Sequence, residues 1–226
     1  ADIIDIGGES TRPGAKPVNI EEELERVIPV IEGIRKKSNI TISIDTYKSF
    51  VAGKAISVGA NIINDISGLR FDNNMIHFAS EAQVPVIVMH MLGNPQNMQN
   101  DPSYANLMEE LITFFQERVD LLTSNGINKN NIILDPGIGF GKTVDHNFIL
   151  IRELSRIVDL GFPVLFGPSR KSFIGNTLKL PLEDRIEGTA AAVTVAIMNG
   201  SRIVRVHDVK EMLRVVKMTE NICGIS

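Results

Sequence analysis

The chain has a single cysteine, Cys223, among 226 residues. No internal disulfide can form, and a reducing compartment, the cytoplasm, is expected. With four histidines, no His/Cys cluster has the spacing of a zinc site. No G-x-S-x-G segment presents a nucleophilic serine. Basic residues are outnumbered, 23 against 27, for a net charge of -4. Without a basic surplus to neutralise phosphates, no nucleic-acid partner is expected. No apolar run approaches a membrane span, and no charged-then-apolar leader opens the chain, so no membrane partner is expected either. An initiator Met is missing too. The first residues, Ala1-Asp2-Ile3-Ile4-Asp5, already read as a strand, and the chain is expected to be the body of a longer protein. Its 43% hydrophobic content suffices for one large core.

What is present centres on Ile132–Lys142, IILDPGIGFGK. A short apolar run reads as a buried strand and delivers Asp135 at its C-terminal end. Pro136 lacks the amide hydrogen that would continue a ladder. Gly137, Gly139 and Gly141 then allow backbone to approach a ligand closely. A P-loop would need glycine at Pro136, and a dinucleotide fingerprint would need it at Lys142. The segment therefore reads as an acid delivered into a glycine-lined opening, or as a glycine-rich turn with a capping Asp.

Similar units recur. Strands are expected at Ile3–Gly7, Thr41–Asp45, Ile62–Ile66, Pro85–His90, Ile132–Leu134, Val164–Gly167 and Ile203–Val206. Each is followed by helical periodicity. The first helix has Asn19 as N-cap, acids at Glu21 to Glu23, and Pro29 predicting a kink. Later helices are expected through Val58 and at Asn73–Ala82, Ser103–Ser124, Asp145–Leu160, Leu182–Asn199 and Val209–Ile222, with Pro168–Pro181 a loop. Continuous apolar strands alternating with helices imply an α/β fold with a parallel sheet. Polar residues end all seven strands: Asp5, Asp45, Asn64, His90, Asp135, Ser169 to Lys171, and Arg205 to His207. A barrel gathers those ends at one mouth, whereas a doubly wound sheet would concentrate them at one switch point. A (β/α)8 barrel of one domain, residues 1–226, with seven βα units visible and the first absent, is the expected fold.

At that mouth Asp45, Asn64 and Asp135 can accept hydrogen bonds from a heterocycle with adjacent N–H donors. Each can equally cap a following helix. Ser169-Arg170-Lys171-Ser172 suits an anion or a polarised ring, or is a solvated basic loop. Arg205 and His207 project to one side of an extended segment and suit a phosphate. Otherwise Arg205 pairs with Glu187 or Asp208, and His207 bonds backbone. His90 is given no catalytic role. Met89, Met91 and Met98 read as gap-filling core or as the walls of an apolar slot.

Taken together, Asp5–Gly14 (DIGGESTRPG), Ser43–Thr46, Asn64–Gly68, Asp135–Gly141, Ser169–Ser172 and Arg205–Asp208 resemble the dihydropteroate synthases, in that family's order and over the whole chain. The resemblance implies a TIM barrel. It also implies a transferase that joins 6-hydroxymethyl-7,8-dihydropterin diphosphate to 4-aminobenzoate, releases pyrophosphate, needs Mg²⁺ and is the sulfonamide target. It implies pterin binding by Asp45, Asn64, Asp135 and Lys171 between walls at Ile66, Met89, Phe140 and Gly167. Diphosphate falls to Arg205, His207 and Asn64, and aminobenzoate to Thr11, Arg12, Pro13 and Ser172. Asp135, Lys171 and Arg205 are the implied catalytic residues. Pro168 stands where the family often has Thr. No metal ligand is assigned, because the resemblance puts the Mg²⁺ ligands mainly in an absent N-terminal segment and on the diphosphate. A homodimer through the last helices is expected, since Leu182–Asn199 is more apolar than one barrel-facing stripe needs. The alternatives are a pterin-binding methyltransferase, disfavoured by the Arg205/His207 pair, and a non-catalytic pterin-binding relative.

Overall fold

The computed structural model describes residues 1–225. In chain order the elements are β1 (Ile3–Gly7), α1 (Ile20–Arg35), β2 (Thr41–Asp45), α2 (Ser49–Ser57), β3 (Ile62–Asp65), α3 (Met75–Ala82), β4 (Val86–Met89) and α4 (Leu107–Ser124). Then come β5 (Ile132–Asp135), α5 (Val144–Arg152), α6 (Ser155–Val158), β6 (Leu165–Phe166), α7 (Ser172–Leu178), α8 (Ile186–Met198), β7 (Ile203–Val204) and α9 (Val209–Cys223). Every strand runs parallel to the next. β1 to β5 pair in sequence order, Leu134 bridges to Val164 just before β6, and β6 pairs with β7.

Strand side chains alternate with period two. On one face Ile3, Ile62, Ile87, Ile133, Leu165 and Ile203 pack into a single cluster. Its members come from both the first strand and the last, so the wall curves onto itself around an apolar interior. This is the barrel arrangement expected. Among the described residues no ladder joins β7 to β1. On the opposite face Ile42, Ile44, Ile63, Val86, Val88, Ile132, Leu134 and Phe166 are buried against the surrounding helices. Burial of each such side chain contributes about 1.5–3 kcal/mol. This outer core, larger than the inner one, holds the wall in shape.

The helices form where caps and periodicity place them. The Asn19 side chain accepts from the Glu22 amide to start α1, and the helix continues through Pro29 to Arg35. Asn106 accepts from the Glu109 amide and starts α4 three to four residues later than the apolar pattern suggests. The single helix expected over Asp145–Leu160 is divided into α5 and α6. The segment Pro168–Pro181, expected as loop, contains α7. No helix of the described residues is long and apolar enough to cross a membrane.

Candidate active site at the barrel mouth

Two residues beyond the apolar cluster, each strand again points inward, and here the chemistry changes. Ile3 is followed by Asp5, Ile62 by Asn64, Ile87 by Met89, Ile133 by Asp135, Leu165 by Gly167 and Ile203 by Arg205. On β2, Asp45 stands in register with Gly7 on one side and Asn64 on the other. Asp5, Asp45, Asn64, Asp135 and Arg205 thus form one polar layer on an apolar floor, whereas His90, one residue past the inward Met89, lies out of phase with it and packs against Phe114 and Tyr104.

Arg205 crosses this layer. Its Nε lies 2.9 Å from Asp5 Oδ2 and a terminal nitrogen 3.1 Å from Asp45 Oδ2. Those are its partners in place of Glu187 or Asp208. Asp208 instead takes Arg170, which donates to both carboxylate oxygens. Asp5 also accepts from the Ser43 hydroxyl at 2.5 Å and from the Asn64 amide at 3.3 Å. Burial, then the charge of Asp5, pushes the Asp45 carboxyl up to about 7, with Arg205 pulling it back. Burial works against the charge of Arg205, but Asp5 and Asp45 hold its pKa above the usual value. Beyond it, His207 Nδ1 lies 2.9 Å from Ser169 Oγ, which also accepts from the His207 amide. His207 is therefore bonded to a side chain rather than only to backbone.

Asp135 is buried and accepts the Gly137 amide at 2.8 Å. Burial raises its carboxyl above the usual range, against that bond and the charges of Arg205, Lys171 and Lys142. Gly137 has φ +65°, and a Cβ there would lie 2.0 Å from the His90 carbonyl oxygen. The turn that follows Asp135 thus requires glycine. Lys171 sits 4.0 Å over the Phe140 ring, and burial lowers its pKa to about 8. Ile66, Met89, Met91, Met98 and Phe140 form a separate buried cluster packed against Tyr47. Met89, Met91 and Met98 are therefore together in an apolar patch at the mouth, not dispersed through the main core.

The Ser10–Gly14 loop is largely exposed. Its Gly14 amide donates to the Pro95 carbonyl at 3.1 Å. From the same Gly93–Asp101 segment, Gln99 donates to the Gly139 carbonyl at 2.7 Å. Ser172, also exposed, is the first residue of α7, next to Lys171.

Two further groups belong to the site, the half-buried Asp5 and the buried Lys142. Asp5, in the sequence no more than a strand end, holds Arg205, Ser43 and Asn64. In the sequence Lys142 only breaks the dinucleotide fingerprint. It is buried, with Nζ 3.1 Å from His90 Nδ1 and 3.1 Å from the Phe140 carbonyl. Burial drops its pKa to about 7. Burial and Lys142 likewise keep His90 neutral, far below the usual imidazole range. The signal in the sequence for Lys142 is its place directly after Gly137, Gly139 and Gly141, all at positive φ.

Residues 1–207 match the sequence model of the family described as pterin binding enzymes. A dihydropteroate synthase from Synechocystis is 49% identical over 221 residues, covering 97% of this chain and 76% of the relative. This chain belongs to the dihydropteroate synthases. The Yersinia pestis dihydropteroate synthase, solved in a sulfonamide drug complex, superposes with a TM-score of 0.97 at 42% identity, covering 99% of this chain and 81% of that one. The Xanthomonas albilineans dihydropteroate synthase, solved with 4-aminobenzoic acid, does so with a TM-score of 0.93 at 39% identity, covering 100% and 81%. Like them, the chain is a transferase of folate biosynthesis on a TIM barrel.

Among the described residues no three His, Cys, Asp or Glu side chains converge as a cation site. Asp5 and Asp45 are already engaged by Arg205. The side chains of the described residues do not by themselves make up a Mg²⁺ site.

Proposed function

We propose that the polar layer at the barrel mouth is where this chain performs the dihydropteroate synthase reaction. In that reaction 6-hydroxymethyl-7,8-dihydropterin diphosphate and 4-aminobenzoate give 7,8-dihydropteroate and pyrophosphate. The observation that carries the assignment is the convergence of Asp45, Asn64 and Asp135 on one inward layer, beside Lys171 stacked on Phe140. Two carboxyl groups and an amide match the adjacent N–H donors of a pterin ring. Ile66, Met89, Phe140 and Gly167 supply its flanks, and Lys171 orients the ring from above Phe140. Arg205, His207 and Asn64 lie toward the diphosphate.

The methylene–oxygen bond breaks, and its electron pair leaves with the diphosphate. Positive charge develops on the methylene and spreads into the ring. The buried Asp135 carboxylate stabilises that charge, and Arg205 stabilises the departing anion. The neutral aniline nitrogen then forms the new C–N bond and sheds its proton to solvent. Thr11, Arg12, Pro13 and Ser172 hold 4-aminobenzoate, and a sulfonamide would occupy the same place. A Mg²⁺ arriving with the diphosphate would add charge neutralisation there. The setting proposed is the cytoplasm, and the assembly a homodimer.

Asp135→Asn tests the reading. The amide would turn a donor toward the ring's own donors. Pterin affinity, measured by calorimetry, should fall at least about a hundredfold while the thermal midpoint holds. A lowered midpoint with unchanged pterin affinity would make Asp135 a structural cap and refute the assignment.

A further inference from the structure

We propose that Glu9 is a positioning residue for the arylamine substrate, closing the base of the Ser10–Pro17 loop so that Thr11, Arg12 and Pro13 are presented to the mouth. The inference rests on the assignment of those three residues to the aminobenzoate side. Glu9 precedes the loop and Val18 follows it. The Glu9 Oε2 atom accepts the Val18 amide at 2.9 Å, so one carboxylate joins the two ends of an eight-residue excursion. The same oxygen takes Lys48 Nζ at 2.7 Å, and Oε1 takes the Tyr47 hydroxyl at 2.8 Å. Both donors come from the segment just after β2, immediately past Asp45. The loop base is thereby fastened to the strand that carries the pterin-side acid.

The fastening is anchored from below as well. Lys48 also pairs with Glu23, which is buried within α1. Arg26 of α1 donates to the Gly8 carbonyl at 2.7 Å. A Cβ on Gly8 would lie 2.8 Å from Glu23 Cγ, so β1 leaves the barrel in close contact with α1. Above this base the loop has little of its own. Its internal bonds are Arg12 amide to Ser10 Oγ at 3.4 Å and Ala15 amide to the Arg12 carbonyl at 3.1 Å. Ser10, Arg12, Pro13 and Gly14 are exposed. Its one main-chain contact to another loop is the Gly14 amide on the Pro95 carbonyl at 3.1 Å, so the loop's path is set by that point and by its two ends. Burial alone would raise the Glu9 pKa, but Lys48, the Val18 amide and Tyr47 hold it below the usual range, so all three donors meet an anion.

The test uses the protein expressed from its whole gene and follows pyrophosphate release while each substrate is varied. Glu9→Ala should raise KM for 4-aminobenzoate about tenfold or more, with kcat and KM for the pterin diphosphate within about twofold of wild type. Glu9→Gln should recover most of the loss. Its carboxamide oxygen can still accept from Val18 and Lys48, and its NH₂ can donate to the Tyr47 oxygen. Tyr47→Phe, which leaves the Lys48–Glu23 pair intact, should shift the same KM in the same direction by less. A merely structural Glu9 would instead lower the thermal midpoint and active fraction and leave both KM values alone, which would overturn the proposal. So would a Glu9→Gln variant no better than Glu9→Ala, or an unchanged KM in Tyr47→Phe. Arg12→Ala separates the two levels of argument. If it leaves the 4-aminobenzoate KM unchanged, the loop assignment fails and Glu9 falls with it. If it raises that KM and Glu9→Ala does not, only the Glu9 proposal falls.

Discussion

Arg205→Met should change what the pterin subsite does with pH as well as what the diphosphate subsite holds. Burial and Asp5 push the Asp45 carboxyl up to about 7, and Arg205 is the cation that opposes them. The guanidinium is 3.1 Å from Asp45 Oδ2. A pair of unit charges near a protein surface, about 4 Å apart, is worth about 4 kcal/mol. The Arg205 side chain is 41% exposed and shares its charge with Asp5, so solvent screening reduces this to about 1–2 kcal/mol. One pH unit corresponds to about 1.4 kcal/mol. Removing the charge while keeping the stem should therefore move the Asp45 midpoint up by about one unit.

With Asp45 on the pterin as proposed, only its ionised carboxylate accepts freely from the ring, so affinity should be lost as pH falls through the midpoint. Calorimetry with unphosphorylated 6-hydroxymethylpterin from pH 6 to pH 9 reads this directly. Wild-type affinity should fall below about pH 7, and the variant's fall should begin about one unit higher. At pH 9 the two proteins should converge for bare pterin. There the variant should still bind the pterin diphosphate about ten- to a hundredfold more weakly, having lost a charge-assisted contact. Identical pH profiles would refute control of Asp45 by Arg205. Equal losses for both ligands at pH 9 would refute a diphosphate role.

Three further outcomes are expected. Lys142 titrates near 7 in the fold, against 10.5 for a free lysine, so between those values the unfolded chain holds one more proton. Wild-type stability should then gain about 1.4 kcal/mol per pH unit relative to Lys142→Met, and parallel urea-unfolding stabilities from pH 7 to pH 9 would contradict the buried-cation account. Gly137→Ala puts a Cβ 2.0 Å from the His90 carbonyl oxygen at φ +65°, which should cost about 2–5 kcal/mol and be seen as a thermal midpoint lower by about 5–15 °C. The exposed Ala191, Val195 and Met198 stripe of α8, beside Leu213 and Met218 of α9, should make the protein sediment as a dimer at micromolar concentration. Val195→Arg should give the monomer, and a wild-type monomer would refute the interface.

The strands were legible because short apolar runs end in one or two polar residues, as at Ile62–Asp65 and Ile132–Asp135. Their place at strand ends, which a barrel gathers at one mouth, pointed to the polar residues that meet there, and period two, applied to the structure, separates the inward Met89 from His90. What sequence could not show was pairing across the barrel. Asp5 and Arg205 are at opposite ends of the chain, and only the curvature of the wall brings them to 2.9 Å. Helix α7 was hidden by its composition, since SFIGNTL is short and carries a glycine among flanking prolines. That glycine has a distant reason. A Cβ at Gly175 would lie 2.2 Å from the Arg185 guanidinium, which donates to the Arg170 carbonyl at 3.0 Å. The break between α5 and α6 left no mark in the apolar spacing, which runs through Leu154 and Ile157, both buried.

The contact between the Gly14 amide and the Pro95 carbonyl joins two mouth loops through main chain alone. Every residue type carries a carbonyl, and every type but proline an amide hydrogen. Apart from Gly14 itself, whose φ of +76° favours glycine, neighbouring side chains can vary without dissolving the latch. The rim of the cleft can therefore drift in sequence while the two loops still meet at the same point, which on the proposed assignment of Thr11, Arg12 and Pro13 leaves arylamine selection free to change without loss of the latch.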